Sequence, residues 1–561
     1  MRSQHILRRV VIAWLAVVVT TAAASPRAPG TAAIASAHPR ATAAGQEILD
    51  AGGNAFDAAV AVSAALAVAE PYSSGLGGGG FWLLHLAKSQ RDVFVDAREV
   101  APGAARPDMY LDANGGVRAD ATLDGPLAAG IPGHPAGLVH LARRYGRLPL
   151  ARSLAPAIRL AEEGVPAHVR LTTGLRFRRA AAAKSPAFSA VFYPNGEIPA
   201  PGAVIRNPDL GRTLRSLAAR GFDGFYRGET AAMLVDGVRS GGGIWTLADL
   251  AAYRVIERQP LRSRFREMTI VSAPLPSAGG IALANMFNML AGYDLGKLDG
   301  VSRKHLLVEV MRRAYRDRAL FLGDPAFSSP PVERLTSAYY AEGQRASIRL
   351  DRATPSAALP GAPSDAGQGS DTTHFSIIDR DGNRVAGTLS INTWYGAAFI
   401  PPGTGVILNN EMDDFTVKAG AANWFELVGG DANAIAPGKR MLSSMSPTFL
   451  ESPRGVAIVG TPGGSRIITM VMLAALEWID GADASRMVGL KRFHHQFLPD
   501  LVDYEEGALT KDEIAALEQR GHSLRLNQRS YGNMNVVTWD FATGKVEAAT
   551  DPRGLVEGQI Y

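Results

Sequence analysis

The chain has 561 residues, 47% of them hydrophobic and 20% charged, which supplies enough apolar material for one large core or several domains. This composition excludes a disordered chain, and a formal net charge of +5 is too small for a polyanion-binding protein. Cysteine is absent, so the sequence offers no disulfide framework and no thiolate site, and stability must come from the core.

At the start, Arg8-Arg9, the apolar run Val10 to Val19 and then Thr20-Thr21-Ala22-Ala23-Ala24-Ser25 follow the charged, apolar, small-residue order of a secretory signal. A membrane anchor is the competing reading, but the apolar run is shorter than the roughly 20 residues a spanning helix needs. Residues 1–24 are therefore expected to be a signal peptide cut after Ala24, giving an exported protein, periplasmic or secreted. Loss of Arg2, Arg8 and Arg9 takes the net charge from +5 to +2.

Residues 41–51 read as a helix stopped by Gly52-Gly53, and Asn54 with Asp57 forms an N-cap pair opening a buried Ala/Val-rich helix to about Ala69. Ser74-Gly75-Leu76-Gly77-Gly78-Gly79-Gly80-Phe81 matches G-x-G-x-x-G formally. A dinucleotide fingerprint needs a strand before it and a helix after it; here the order is reversed, so close backbone packing is the better reading. Val93 to Pro102 is a strand ending in charge and proline, and Arg98 at its end would ordinarily be a solvated or salt-bridged group. From the turn-rich Gly125–Gly137 to about Leu350 the pattern predicts a covering layer of helices broken by Gly and Pro, including the loop Pro276-Ser277-Ala278-Gly279-Gly280. Residues 353–371 lack periodicity and read as a flexible linker.

Next comes a β-hairpin, Asp371-Thr372-Thr373-His374-Phe375-Ser376 and onward, turning at Asp381-Gly382-Asn383 and returning to Asn392. A three-residue loop at Asp381–Asn383 sets Thr372 opposite Asn392, His374 opposite Ser390 and Ser376 opposite Thr388. Each strand then shows one polar and one apolar face, which a two-residue loop would scramble. Beyond it, Glu411 and Asp414 sit three residues apart, ordinarily a solvated acidic turn. Ser443 and Ser444 alone could be loop hydroxyls, and Pro462-Gly463-Gly464-Ser465 could be a tight turn. Adjacent His494 and His495 point to opposite faces of a strand without a carboxylate cluster, so no metal site is expected. Thr510 with Glu513 makes a capping box for a helix ended by Gly521.

Four segments taken together, Asp371-Thr-Thr-His-Phe-Ser376, Leu408-Asn-Asn-Glu-Met-Asp-Asp-Phe415, Lys439-Arg-Met-Leu-Ser-Ser-Met-Ser-Pro447 and Thr461-Pro-Gly-Gly-Ser-Arg466, closely resemble the γ-glutamyltransferase family in that family's order. The resemblance runs from near Ala37 to Asp551-Pro552-Arg553. It implies an α/β fold, the four-layer αββα sandwich of N-terminal-nucleophile hydrolases. It further implies a precursor that cuts itself at Asp371-Thr372 into a large chain, 25–371, and a small chain, 372–561, intertwined as one domain and forming a heterodimer. Thr372 would be the nucleophile, Gly463 and Gly464 the oxyanion hole, and Arg98 with Ser443 and Ser444 the ligands of the donor's α-carboxylate. Glu411, Asp414 and Asn392 would take the donor's α-ammonium, Ser390 would orient the processing threonine, and Thr373 would help hold the new terminus. Relatives commonly carry Thr where Ser390 stands, so slower processing is expected. The segment Lys418 to Ala434 resembles the family's lid, with Phe425 where a tyrosine is common.

The chemistry is consistent with the residue types. A threonine hydroxyl is a weak nucleophile until a base takes its proton, and an N-terminal α-amine with pKa near ~8 can be that base once the chain is cut before it. The implied activity is γ-glutamyl transfer from glutathione or related γ-glutamyl compounds to water, amino acids or peptides, with no metal or organic cofactor and no nucleic acid. The rivals are an acylase of the same superfamily acting on side chains such as glutaryl, and an unprocessed secreted binding protein.

Overall fold

Capping and composition build the first elements. In the computed structural model, which describes residues 28–360 and 372–555, helix Pro39–Asp50 ends at Gly52-Gly53, and helix Ala55–Ala69 starts from an Asn54/Asp57 capping box. The second helix is buried almost all round, as a run of Ala and Val without a polar stripe requires. The signal reading of residues 1–24, the linker's end and Asp371 lie outside the described residues.

Two six-stranded antiparallel sheets form the centre. The first runs in the order Ala33–Ser36, Thr373–Ile378, Arg384–Ser390, Gly79–Leu86, Arg91–Ala97, Ile256–Arg258. The second runs Val546–Thr550, Asn535–Asp540, Gly455–Gly460, Thr448–Ser452, Met268–Ser272, Leu261–Phe265. Helices Pro39–Asp50, Ala55–Ala69 and His134–Arg144 cover the outer face of the first sheet, and Gly279–Leu290 and Ile467–Ile479 cover the second. This is the expected αββα layering. The region read as a helical layer to Leu350 is not wholly helical: its three strands between Ile256 and Ser272 extend the edges of both sheets. All three are too short to show a strand period, and Ile256–Arg258 and Leu261–Phe265 are also interrupted by charge.

The hairpin is present with the expected faces but a register shifted by two residues. Thr373 pairs with Leu389, His374 with Thr388 and Ser376 with Ala386, so Thr372 leads into the level of Ser390 rather than Asn392. Asp379 explains the shift. Its carboxylate accepts from the Asp381 and Asn383 backbone amides, and the Asp379 N–H donates to Asn383 O, closing the loop on Arg380-Asp381-Gly382 with Gly382 at φ +88°. A two-residue shift preserves the alternation. Phe375 and Ile377 face the helices, while His374 and Ser376 face the second sheet, where the Ser376 hydroxyl donates to carbonyls of Ile458 and Asn535 at 3.1 and 3.0 Å.

The segment read as a linker is anchored in its first part. Ala353 N–H donates to Arg520 O, Thr354 N–H to Glu309, and Ser356 N–H to Asp500 at 2.6 Å. Arg312 joins Asp500 and Ser356 in the same partly buried network. Helix Lys511–Gln519, with its Thr510/Glu513 capping box, lies nearby as the sequence predicts.

Asp379 also accepts from the Ala55 N–H at 2.9 Å, so one carboxylate caps the hairpin loop and the helix packed behind it. Asp379→Ala strands three backbone donors, each costing ~1–3 kcal/mol when left without a partner, and is expected to destabilise the fold by about 3 kcal/mol or more. A fall in the urea midpoint measures this; an unchanged midpoint would show that the hairpin does not depend on these bonds.

Candidate active site

Thr372 immediately precedes strand Thr373–Ile378 and is buried at the wall of a narrow cleft. Arg98, Ser390, Asn392, Glu411, Asp414, Ser443, Ser444 and Gly464 line the same cleft, from segments separated by up to several hundred residues. Of the catalytic, binding and processing residues expected from the sequence, Gly463 and Thr373 do not line it, and Asp371 is outside the described residues.

Arg98 follows strand Arg91–Ala97, and its backbone is fixed at both ends: its N–H donates to Asp96 at 2.9 Å and its carbonyl accepts from the Tyr253 hydroxyl at 2.8 Å. The guanidinium meets Glu411 at 2.6 Å through Nη1 and Asp414 at 2.5 Å through Nη2, with Glu99 3.7 Å away. The opposed charges are thus in contact rather than across a gap. At 1% side-chain exposure for Arg98 and 0% for Glu411, solvent cannot stabilise them apart. Burial alone would push the Arg98 guanidinium down, but Glu411, Asp414 and Glu99 together raise it above its ordinary range. Burial pushes the Glu411 carboxyl up to about 7, against the pull of Arg98 and with Asp414 adding to the rise. Glu99 is raised by burial and then by Glu411.

Asn392 holds φ +76°, with its side-chain N–H donating to Asn410 O at 2.9 Å, which leaves the amide oxygen as an acceptor. The Ser390 hydroxyl accepts from the Asn392 N–H at 2.8 Å. Ser443 is cradled by the Pro276–Gly280 loop: its N–H donates to Pro276 O, and its carbonyl accepts from Ala278 N–H. Ser443 Oγ accepts from Met445 N–H at 3.0 Å, and among the described residues Ser444 Oγ has no hydrogen-bond partner.

Gly463 and Gly464 take φ of +144° and +56°, conformations that favour glycine, and a Cβ on Gly464 would lie 2.3 Å from the Phe425 ring. Phe425, buried, belongs to the segment expected to be a lid. That segment is tied to the site by Asn423, whose amide donates to Asp414 at 3.2 Å, and by the Trp424 N–H, which donates to Asp413 at 2.9 Å. Burial pushes the Asp413 carboxyl up to about 7.

Sequence reasoning missed Glu70, Glu99, Asp413 and Asn423. The Thr373 hydroxyl turns to Glu70 at 2.7 Å, and Glu70 also accepts from Tyr72. Only the adjacency of Glu99 to Arg98 and of Asp413 to Asp414 offered a local signal; the Glu70 contact spans 303 positions and left none. His374 bonds Thr388 and Ser376, and burial lowers it to about 3, so it is a neutral scaffold group rather than a base. His494 bonds Thr469 and Gln496, and His495 bonds Asp500. Among the described residues no group of three or more His, Asp or Glu could hold a metal ion.

Comparison with known proteins places these features. A glutathione hydrolase proenzyme from Pseudomonas sp. (strain A14) is 43% identical over 487 residues, covering 85% of this chain and 84% of its own. The crystal structure of cephalosporin acylase from Bacillus halodurans superposes with a TM-score of 0.82 at 28% identity, covering 94% of this chain and 95% of that one. That of Helicobacter pylori gamma-glutamyltranspeptidase gives a TM-score of 0.56 at 38% identity over 57% of this chain and 93% of its own. The sequence also matches the gamma-glutamyltranspeptidase family over residues 41–560, and with a threonine at the head of a sheet strand beside the Arg98 ion cluster, the chain belongs to that family.

Proposed function

We propose that this protein is an exported, self-cleaving γ-glutamyl hydrolase and transferase that takes glutathione and related γ-glutamyl amides as donors. The observation carrying this reading is that Thr372 shares one cleft with the Arg98, Glu411 and Asp414 cluster. Such a cluster can exchange its internal ion pairs for a free amino-acid head group: the donor's α-carboxylate goes to Arg98, Ser443 and Ser444, and its α-ammonium to Glu411, Asp414 and the Asn392 amide oxygen. The leader-like residues 1–24 support export, and no helix among the described residues is long and apolar enough to cross a membrane.

Processing begins when Thr372 Oγ attacks the Asp371 carbonyl carbon, with Ser390 orienting the hydroxyl. The peptide C–N bond breaks as the ester C–O bond forms, the proton passes to the nitrogen, and water then hydrolyses the ester to leave an Asp371 carboxylate and a free Thr372 α-amine. In turnover that amine takes the Oγ proton as Oγ attacks the donor's γ-carbonyl. Amides of Gly463 and Gly464 receive the oxyanion. The departing amine takes the proton, and water or an acceptor amine releases the glutamyl group from Thr372. A cephalosporin-acylase-type activity is favoured by the likeness to the Bacillus halodurans structure, but a substrate lacking an α-ammonium would give the Glu411 and Asp414 carboxylates no counterpart on the ligand. Glutaryl and γ-glutamyl anilides compared on the mature enzyme separate the two readings.

Mass spectrometry of mature protein should find chains beginning at Ser25 and Thr372. Thr372→Ala should stay one chain on a denaturing gel and release no γ-glutamyl product, whereas Thr372→Ser should process slowly and keep reduced activity. Turnover by Thr372→Ala, even assembled from two separate segments, would remove Thr372 as nucleophile.

Arg98→Lys keeps the charge but loses the two-pronged geometry, and its donor KM should rise by about 10- to 100-fold, equivalent to ~1.4–2.7 kcal/mol. A wild-type KM would take Arg98 out of the donor site.

Glu411 supplies a pH dependence. With its carboxyl near 7, it is charged above that value and increasingly neutral below it, so its attraction for the α-ammonium fades as pH falls. Donor KM should rise several-fold as the pH drops from about 8 to about 6, and Glu411→Gln should show a raised KM that is flat over that interval. A wild-type slope in that variant would assign the titration elsewhere.

A further inference from the structure

The turn Asn423–Leu427 lays Phe425 against Gly464 and is held from two directions. Asn423 Oδ1 accepts from the Phe425 and Leu427 amides, making the turn rigid, and the Asn423 amide reaches Asp414. On the other side, Glu426 adopts φ +61°, a left-handed conformation that a non-glycine residue takes at a cost; its N–H donates to Asn423 O, and its side chain adds a contact outside the turn. That contact is Arg525, whose Nη2 lies 3.0 Å from Glu426 Oε2.

Arg525 is itself fixed. Strands Val502–Tyr504 and Leu524–Leu526 run parallel with Asp503 and Arg525 as register partners, and Arg525 grips Asp503 with both Nε, at 2.5 Å, and Nη2, at 3.0 Å. The same Asp503 Oδ2 accepts from Arg466 Nη2 at 3.0 Å, and Arg466 lies two residues beyond Gly464. Glu426, Asp503 and Arg466 have side-chain exposures of 8%, 5% and 12% and Arg525 29%, so the two carboxylates are screened less than surface groups while Arg525 reaches partly into solvent. The chain Glu426, Arg525, Asp503, Arg466 therefore ties the Phe425 turn and the Gly463-Gly464 turn to a single carboxylate.

We propose that Arg525 and Asp503 are positioning residues that clasp the Phe425 turn over the cleft and hold it in register with the Gly463-Gly464 turn, so that retention of the donor and placement of the oxyanion donors depend on one shared anchor. This inference rests on the γ-glutamyl-transfer reading for its kinetic consequences but not for the clasp itself. A hydroxyl at position 425 is not needed to close such a cover, since its backbone and its neighbour carry the attachment: the Phe425 carbonyl also accepts from Gln496 at 3.0 Å. The two arms of the clasp predict different defects. Removing Glu426 or Arg525 frees the cover and raises donor KM, whereas removing the charge of Asp503 also frees Arg466 and lowers kcat.

The test uses full-length mature enzyme as wild type, Glu426→Ala, Arg525→Ala, the double variant and Asp503→Asn. Hydrogen exchange without substrate should show the amides of residues 423–427 exchanging about tenfold faster in Arg525→Ala and Glu426→Ala, with no further increase in the double variant. With a γ-glutamyl anilide, both single variants should raise KM about tenfold with kcat near wild type, the double variant should match Arg525→Ala, and Asp503→Asn should lower kcat as well. Unchanged exchange in both single variants, or additive effects in the double, would overturn the clasp. Equal kcat losses in Glu426→Ala and Asp503→Asn would overturn the shared anchor. Should the wild type release no anilide, the functional reading fails while the exchange experiment still decides the clasp, and Glu426→Ala keeps the test alive if Asp503→Asn does not fold.

Discussion

A guanidinium with 1% of its side chain exposed is the constraint around which this protein is arranged. Moving Arg98 so deep costs several kcal/mol of hydration unless carboxylates meet it at hydrogen-bond distance, and those carboxylates are themselves unstable there without it. Glu411 and Asp414 answer that demand from a short 3-10 turn, Glu411–Asp414, far along the chain. The supports extend outward. Asp96, which fixes the Arg98 amide, also pairs with Arg258 at 2.8 Å and with Arg440 at 3.4 Å, while Tyr253 fixes the carbonyl. The charge cluster is thus the centre of a web that positions strand ends from both halves of the chain. A zwitterion entering it brings one charge of each sign and leaves the total unchanged, which makes a free amino-acid head group a less costly guest than a lone anion or cation.

Fold alone does not choose the substrate. The structure superposes closely on an acylase at low identity, so the two-sheet scaffold by itself is compatible with either chemistry. What separates them is local: whether side chains lining the cleft can meet an ammonium. Glu411, Asp414 and Asn392 are the side chains that the proposed reading assigns to it, and the two carboxylates have Arg98 as their counter-charge.

Much of this was legible in the sequence where the determinants are local. The Asn54/Asp57 and Thr510/Glu513 caps, the buried Ala/Val helix and the glycine turn before strand Gly79–Leu86 each follow from residues within a few positions of one another. The face pattern of the hairpin was legible too, because parity survives any even shift. Its register was not, since it depends on the Asp379 carboxylate choosing the Asp381 and Asn383 amides, a choice among several turn geometries with the same composition. The strands Ile256–Arg258 and Leu261–Phe265 were hidden for another reason: at sheet edges with half-exposed, charged residues they lack an alternating apolar signature. Glu70 and Asn423 were invisible because their roles come from contacts that only the folded chain creates.

The first sheet interleaves the two segments on either side of the 371–372 junction: its first strand precedes the junction, the next two follow it, and the last three precede it again. A cut there leaves both pieces hydrogen-bonded along two seams of the same ladder, so dilution offers them no route to separate short of unravelling the core. Folding, by contrast, is easy only once. The uncut chain closes these seams as a unimolecular event, while two severed pieces, if ever unfolded, must find each other in solution, so that recovery depends on concentration. The backbone scission that frees the amine would thereby also convert a reversible folder into a kinetically trapped assembly, one whose lifetime is governed by its unfolding rate rather than by its equilibrium stability.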